Sequence, residues 1–127
     1  EKELKNRPVV VGFGPAGIFA ALLLAEKGYK PLVIERGEDV DKRTETVDKF
    51  WETGELNTES NVQFGEGGAG AFSDGKLTTR IKDTRCDYVL RELVRAGAPG
   101  EITYVAKPHV GTDLLKGVVK NIRERIK

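Results

Sequence analysis

Residues 8–17 read PVVVGFGPAG, and the expected architecture is organised around them. A short β-branched run that stops at a glycine predicts a buried strand, and the Ala- and Leu-rich residues 15–27 predict a helix that Gly28 closes. A second apolar run, PLVIE over residues 31–35, predicts another buried strand. Strand, turn, helix and strand within about 30 residues form a βαβ unit, so the two strands are expected to be parallel.

The glycines between the first strand and the helix fit the pattern G-x-G-x-x-G. Gly12 permits a tight turn, Gly14 lets a pyrophosphate approach the backbone, and Gly17 lets the helix lie close to the strand. The helix N-terminus adds free N–H groups and about half a positive charge. This turn is therefore predicted to hold the pyrophosphate of a dinucleotide.

An acidic residue supports the same interpretation. Glu35 ends the second strand, 18 positions after Gly17, where its carboxylate would accept hydrogen bonds from ribose hydroxyls and repel a 2′-phosphate. FAD or NAD is thus favoured over NADP. The alternative, a tight turn followed by an exposed glutamate, needs the spacing, the flanking elements and the acidic residue to coincide by chance.

The composition is that of one globular domain with balanced charge. Of 127 residues, 39% are hydrophobic and 32% charged, and the net charge of +1 gives no general polyanion-binding surface. The longest apolar run, residues 18–25, is far shorter than the ~20 residues that span a bilayer. We therefore predict a cytoplasmic protein without a nucleic-acid or membrane partner. A single cysteine excludes an internal disulfide and a multi-cysteine metal site.

Three more helices and one further strand are predicted after residue 36. Asp39 is the expected N-cap of a helix that ends near Gly54 and carries Trp51 into the core. An apolar stripe over residues 86–94 and an amphipathic stretch that starts with Thr112 as its cap predict the other two helices, and residues 102–106 predict a strand.

Residues 57–76 have no helical period and contain five glycines. Long connections of this kind are either functional or disordered. The segment is therefore expected to form a Gly-rich loop, with a ligand-binding loop and a flexible surface loop as the two alternatives.

Several of these stretches resemble a known family. Residues 12–17 and the Glu35-Arg36-Gly37 end of the second strand resemble the FAD-binding half of the flavoproteins that include glutathione-reductase-like and fumarate-reductase-like enzymes. More closely, residues 61–79, NVQFGEGGAGAFSDGKLTT, and residues 107–112, KPHVGT, resemble bacterial FAD-dependent dehydrogenases. The resemblance covers nearly the whole chain and is specific for fold and cofactor but not for substrate.

The resemblance implies an α/β fold: a partial, Rossmann-like FAD-binding domain over residues 8–127, with a parallel sheet core, flanking helices and a Gly-rich loop. Residues 1–7 are expected to be a linker. The chain contains no Met and still has a helical pattern at Lys127, so we expect a segment of a longer flavoprotein. The full-length protein would be an FAD-dependent oxidoreductase, and this segment alone would be inactive.

The resemblance also assigns cofactor contacts by position. It places Arg43 like an arginine that reaches the phosphates or ribose, although a solvated surface arginine is an equal alternative. Residues of the Gly-rich loop would approach the flavin ring. The full set of candidate cofactor-binding residues is Gly12, Gly14, Pro15, Ala16, Gly17, Glu35, Arg36, Arg43, Ala69, Gly70, Phe72 and Ser73.

Two other functions remain open on the sequence alone. The NAD-binding half of a simple dehydrogenase shares the glycine pattern but does not explain residues 64–76, and a non-catalytic dinucleotide sensor would use the fold only for binding. In the enzyme interpretation the partners are a small-molecule substrate or an electron donor or acceptor, with NAD(P)H as a candidate donor. The sequence identifies no catalytic residue.

Overall fold

The computed structural model describes residues 4–127 as an α/β arrangement. Strands β1 (Val9–Val11) and β2 (Leu32–Ile34) pair in parallel, and helix α1 (Pro15–Glu26) connects them. The register aligns Val10 with Val33. The predicted βαβ unit is confirmed, and it is consistent with part of a Rossmann-like fold.

The rest of the described chain adds three α-helices and two 3-10 turns. These are α2 (Val40–Thr53), the turn Ala69–Phe72, α3 (Arg85–Arg95), the turn Gly100–Thr103 and α4 (Thr112–Ile126). The three predicted helices are confirmed. The strand predicted over residues 102–106 is wrong, because the N–H of Ile102 closes a turn on the carbonyl of Pro99 and its side chain is buried in the core. Within residues 4–127, no helix has both the length and the apolar character to cross a membrane.

Helix α2 has the predicted caps. The Asp39 carboxylate accepts hydrogen bonds from the N–H groups of Asp41 and Lys42, both at 3.1 Å. The bond from Lys42 is the main reason that the pKa of Asp39 lies below its usual range. Gly54 ends the helix in the left-handed region, at φ 76°. In α4, by contrast, Thr112 is the first helical residue rather than the cap, and its hydroxyl donates to the carbonyl of Ser73.

The main core lies where α1, α3 and α4 meet on one face of the sheet. Its largest buried side chains include Phe13, Ile18, Leu22, Leu93, Ile102, Val118 and Ile122. A second, smaller cluster joins α2 to the first 3-10 turn through Val47, Ala71 and Phe72. The two clusters together hold α2 and residues 61–72 beside the βαβ unit.

The prediction of two buried strands is wrong for one face of the sheet. The exposed fractions of Val9, Val11, Leu32 and Ile34 are 56%, 81%, 44% and 51%. Only Val10 and Val33 pack against the helices, because the described helices cover one side of this two-stranded sheet. The expectation that Trp51 lies in the core is also wrong, since its side chain is 62% exposed.

Residues 4–7 of the predicted linker are exposed, and residues 1–3 lie outside the described residues. The guanidinium of Arg7 donates to the carbonyl oxygens of Lys30, at 2.7 Å, and Pro31, at 3.2 Å. The end of the linker is therefore hydrogen-bonded to the residues that directly precede β2.

Helix α1 starts in direct contact with the turn that precedes it. A β-carbon on residue 17 would lie 1.9 Å from the carbonyl oxygen of Gly12, a distance that no side chain tolerates. Gly12 itself has φ 91°, which favours glycine. The close approach of α1 to the end of β1 therefore requires Gly17, and the backbone conformation of the turn favours Gly12.

We expect Gly17→Ala to lower the free energy of unfolding by about 1–3 kcal/mol, because the new methyl group must displace the Gly12 carbonyl. Gly117→Ala is the matched control, since a β-carbon at this position of α4 meets nothing within 4 Å. The control should raise stability by about 0.5–1 kcal/mol through helix propensity. Urea unfolding measures both changes, and equal stabilisation of the two variants would contradict the close contact.

Candidate functional site

The N-terminus of α1 presents unpaired backbone donors. Gly14 is the N-cap and makes no side-chain capping bond, and Pro15 carries no N–H group. The N–H groups of Gly14, Ala16 and Gly17 have no hydrogen-bond partner within the described residues. Unpaired N–H groups at a helix N-terminus favour an anion.

Residues 65–68 lie against this helix end. The N–H of Gly67 donates to the carbonyl of Phe13 at 2.8 Å. A β-carbon on Gly14 would have Gly68 Cα as its nearest neighbour, at 3.8 Å, so space remains beside this backbone. A β-carbon on Gly68 would lie 3.1 Å from Pro15 Cδ, so glycine permits the close approach of the two segments.

A second group of unpaired donors follows directly. The N–H groups of Ala69 and Gly70 begin the 3-10 turn and have no hydrogen-bond partner in the part of the chain that the structure describes. Because Gly68 packs on Pro15, these donors lie close to the start of α1. The structure thus brings together Gly12, Gly14, Pro15, Ala16 and Gly17 with Ala69 and Gly70.

Glu35 lies next to the glycine turn and fastens it. Its Oε2 accepts the N–H of Phe13 at 2.6 Å, and its Oε1 accepts the N–H of Gly37 at 2.8 Å. A carboxylate offers about four acceptor sites, so these two bonds leave capacity for further donors. Glu35 has a structural function that the sequence did not suggest, and its contact with a ribose stays a prediction.

Arg36 is engaged by residues outside the glycine turn. Its guanidinium forms two bonds with the Glu59 carboxylate, at 2.8 and 2.9 Å, and lies 5.1 Å from the centre of the Phe64 ring. The hydrogen bond from Arg36 is the main cause that lowers the pKa of Glu59. Because both side chains are exposed, the pair contributes little to stability. The predicted cofactor contact of Arg36 would require this pair to open.

Neither interpretation of Arg43 from the sequence describes its position. The side chain is fully buried, at 0% exposed, and donates to four backbone carbonyl oxygens of residues 61–68. It therefore contacts neither solvent nor a ligand site directly, and its predicted contact with phosphates is corrected. The missed signal is its spacing, because Val40, Arg43 and Val47 form the buried side of α2.

Phe72 also differs from the prediction, whereas the contact of Ser73 with a flavin ring stays a prediction. Phe72 is 8% exposed, and the cations of Arg43 and Lys116 each lie 4.5 Å from the centre of its ring. Its side chain belongs to the second core cluster and is not available to a flavin ring. The Ser73 hydroxyl donates to the carbonyl of Gly70 at 3.1 Å and stays exposed at the surface.

Two cavities lie near the residues with unpaired donors. The larger one, of about 740 Å³, is lined by residues that include Phe13, Glu35, Gly37 and Glu66. The smaller one, of about 300 Å³, lies along Pro15, Gly67, Gly70, Ser73 and Leu77. The larger cavity thus adjoins Glu35, and the smaller one adjoins Gly70 at the start of the 3-10 turn.

Glu66 is a buried residue that the sequence analysis missed. Its Oε2 accepts the N–H of Val40 at 2.6 Å and pairs with Arg123 at 2.7 Å. Its Oε1 is the buried side-chain polar atom without a hydrogen-bond partner among residues 4–127. Burial is the largest influence on its carboxyl group and raises the pKa.

Comparison with known proteins gives a distant link to redox proteins. No protein-family model matches the chain. It is 80% identical over 126 residues to an uncharacterized protein of Clostridium beijerinckii, and the match covers 99% of this chain and 24% of that protein. It is 32% identical over 108 residues to a heterodisulfide reductase subunit-like protein of Archaeoglobus profundus, which covers 69% of this chain and 15% of the relative. The chain thus spans about a quarter or less of these relatives.

We expect Glu35→Ala to lower the free energy of unfolding by about 1–3 kcal/mol, because two backbone N–H groups lose a charged acceptor. Glu45→Ala is the control, since Glu45 is exposed on α2 and should change stability by no more than about 0.5 kcal/mol. Urea unfolding distinguishes the two, and an equally small effect of both would show that Glu35 does not fasten the turn.

Proposed function

We propose that this chain is the FAD-binding segment of a flavin-dependent oxidoreductase and that the N–H groups of Gly14, Ala16 and Gly17 hold the pyrophosphate. The observation that carries the proposal is the set of unpaired backbone donors at α1, beside a glycine with open space next to it. An anion at this position gains hydrogen bonds and the favourable field of the helix end.

The flanking residues fit the two ends of the cofactor. Glu35 keeps acceptor capacity for ribose hydroxyls, and the larger cavity next to it suits the adenosine end. For the other end of the cofactor, the N–H groups of Ala69 and Gly70 are donors for the pyrophosphate or the flavin ring, beside the smaller cavity. The unpaired donors at residues 69–70 favour FAD over the NAD-binding alternative, which leaves this segment without a function.

When bound, FAD supplies the hydride and electron chemistry, and the residues of this chain bind and orient it. The N–H groups partly neutralise the charge of the pyrophosphate, and the fixed carboxylate of Glu35 accepts hydrogen bonds from the ribose hydroxyls. The substrate class, and NAD(P)H as a candidate electron donor, belong to the full-length protein. The relationship to a heterodisulfide reductase subunit-like protein supports a redox function of the whole. A cytoplasmic location is part of the proposal, since one cysteine permits no internal disulfide.

We expect Gly14→Val to abolish binding of FAD and ADP while the chain stays folded. Gly14 has an extended backbone, with φ −79° and ψ −171°, which valine adopts readily, so the added side chain occupies only the space proposed for pyrophosphate. Gly117→Val on α4 is the matched control and should bind like the native chain. Amide NMR spectra report folding and binding together, and unchanged binding by Gly14→Val would refute the phosphate assignment.

We expect the 127-residue chain alone to bind FAD more weakly than about 1 µM. A dinucleotide lies across a crevice, and the described residues supply one wall of it, so much of the binding surface is missing. Calorimetry or flavin fluorescence measures the dissociation constant. Submicromolar binding by a monomer would show that most of the site lies within this chain.

A further inference from the structure

The guanidinium of Arg43 is enclosed by the backbone of residues 61–68. Its Nη1 donates to the carbonyl oxygens of Glu66, at 2.7 Å, and Gly68, at 2.8 Å. Its Nε and Nη2 donate to Asn61 and Val62, each at 2.9 Å. One planar cation thus fixes the direction of four carbonyl groups.

The direction of a carbonyl decides the direction of the next N–H group. The described chain contains no cis peptide bond, and in a trans peptide the C=O and the following N–H point in opposite directions. Because the Glu66 carbonyl points to Arg43, the N–H of Gly67 points away and meets the Phe13 carbonyl at 2.8 Å. Because the Gly68 carbonyl points to Arg43, the N–H of Ala69 also points away from it, and this N–H is unpaired among the described residues.

The Phe72 ring helps to keep the guanidinium plane in place. The Phe72 ring lies 4.5 Å from its central carbon and packs in the second core cluster. Burial lowers the pKa of Arg43, while the nearby carboxylates of Glu35 and Glu66 raise it, and an arginine stays charged under these opposing influences. A lysine offers three donors from a single point and cannot reach four carbonyl groups that surround a planar fork.

We propose that Arg43 is a positioning residue of the anion site. It orients two peptide groups, so that Gly67 attaches this segment to the glycine turn and Ala69 presents its N–H beside α1, without any contact between Arg43 and the ligand. The inference rests on the proposed function for the identity of the anion. If Arg43 contributed to stability alone, the amide groups of Gly67 and Ala69 would respond in the same way to any destabilising change in the core.

The test uses the 127-residue chain labelled for amide NMR, with inorganic pyrophosphate and ADP as probes. In the native chain both probes should shift the amide signals of Ala16, Gly17 and Ala69. In Arg43→Lys the shift of Ala69 should be lost while those of Ala16 and Gly17 remain. Hydrogen exchange at Gly67 should rise about tenfold, the effect of losing one hydrogen bond.

The control variant is Ile102→Ala, which removes a buried side chain from the main core far along the chain from this segment. It should leave the Ala69 shift and the Gly67 exchange rate unchanged relative to the rest of the chain. If Ile102→Ala changes both amides as Arg43→Lys does, or if Arg43→Lys retains both, the positioning role is wrong.

The two proposals fail in different ways. If neither probe shifts Ala16 and Gly17 in the native chain, the proposed function is wrong. If the probes shift these two but not Ala69, the role of Arg43 is wrong. Should Arg43→Lys unfold, the native chain still decides, because slow exchange at Gly67 with fast exchange at Ala69 supports the assigned directions and the reverse order overturns them.

Discussion

The carbonyl oxygen of Gly12 occupies the place where a β-carbon of residue 17 would lie, and this contact sets the position of α1. The helix begins close to the turn with Gly14 as its N-cap, so its first N–H groups meet no capping side chain. The same approach places Phe13 so that its backbone bonds to two other segments: its carbonyl accepts the N–H of Gly67, and its N–H donates to the Glu35 carboxylate. The candidate anion site is a consequence of this one steric constraint.

Residues 57–76 acquire their shape from side chains that reach them from elsewhere. Arg43 donates hydrogen bonds to four of their carbonyl groups. Asn61 closes a local turn by accepting hydrogen bonds from the N–H groups of Gln63 and Phe64. Glu66, in turn, links this segment to the start of α2 and to Arg123 of α4. A buried charge is stable in such a setting only when it is hydrogen-bonded, and each of the three guanidinium nitrogens of Arg43 donates to a carbonyl oxygen.

In the sheet, the apolar sequence pattern of the strands does not match their burial. Val9, Val11, Leu32 and Ile34 have the β-branched and apolar character of a buried strand, yet they face outward in the described chain. Apolar side chains allow a strand to be buried, but burial also requires a second layer of structure that packs on that face of the sheet. In the Clostridium beijerinckii relative, this region is 24% of a longer polypeptide.

The features that depend on neighbouring residues could be read from the amino-acid order alone. The βαβ unit, the caps Asp39 and Gly54 and the glycine turn follow from spacing, backbone freedom and local hydrogen bonding, and the structure agrees with each. Folding in three dimensions was needed to establish where Arg43, Phe72 and Trp51 lie, that residues 102–103 belong to a turn, and that Glu35 bonds to Phe13 and Gly37. The positions of Arg43 and Phe72 and the bond from Phe13 to Glu35 depend on contacts between segments roughly 20 or more residues apart in sequence. The free energy of such contacts is set by packing and desolvation rather than by local propensity.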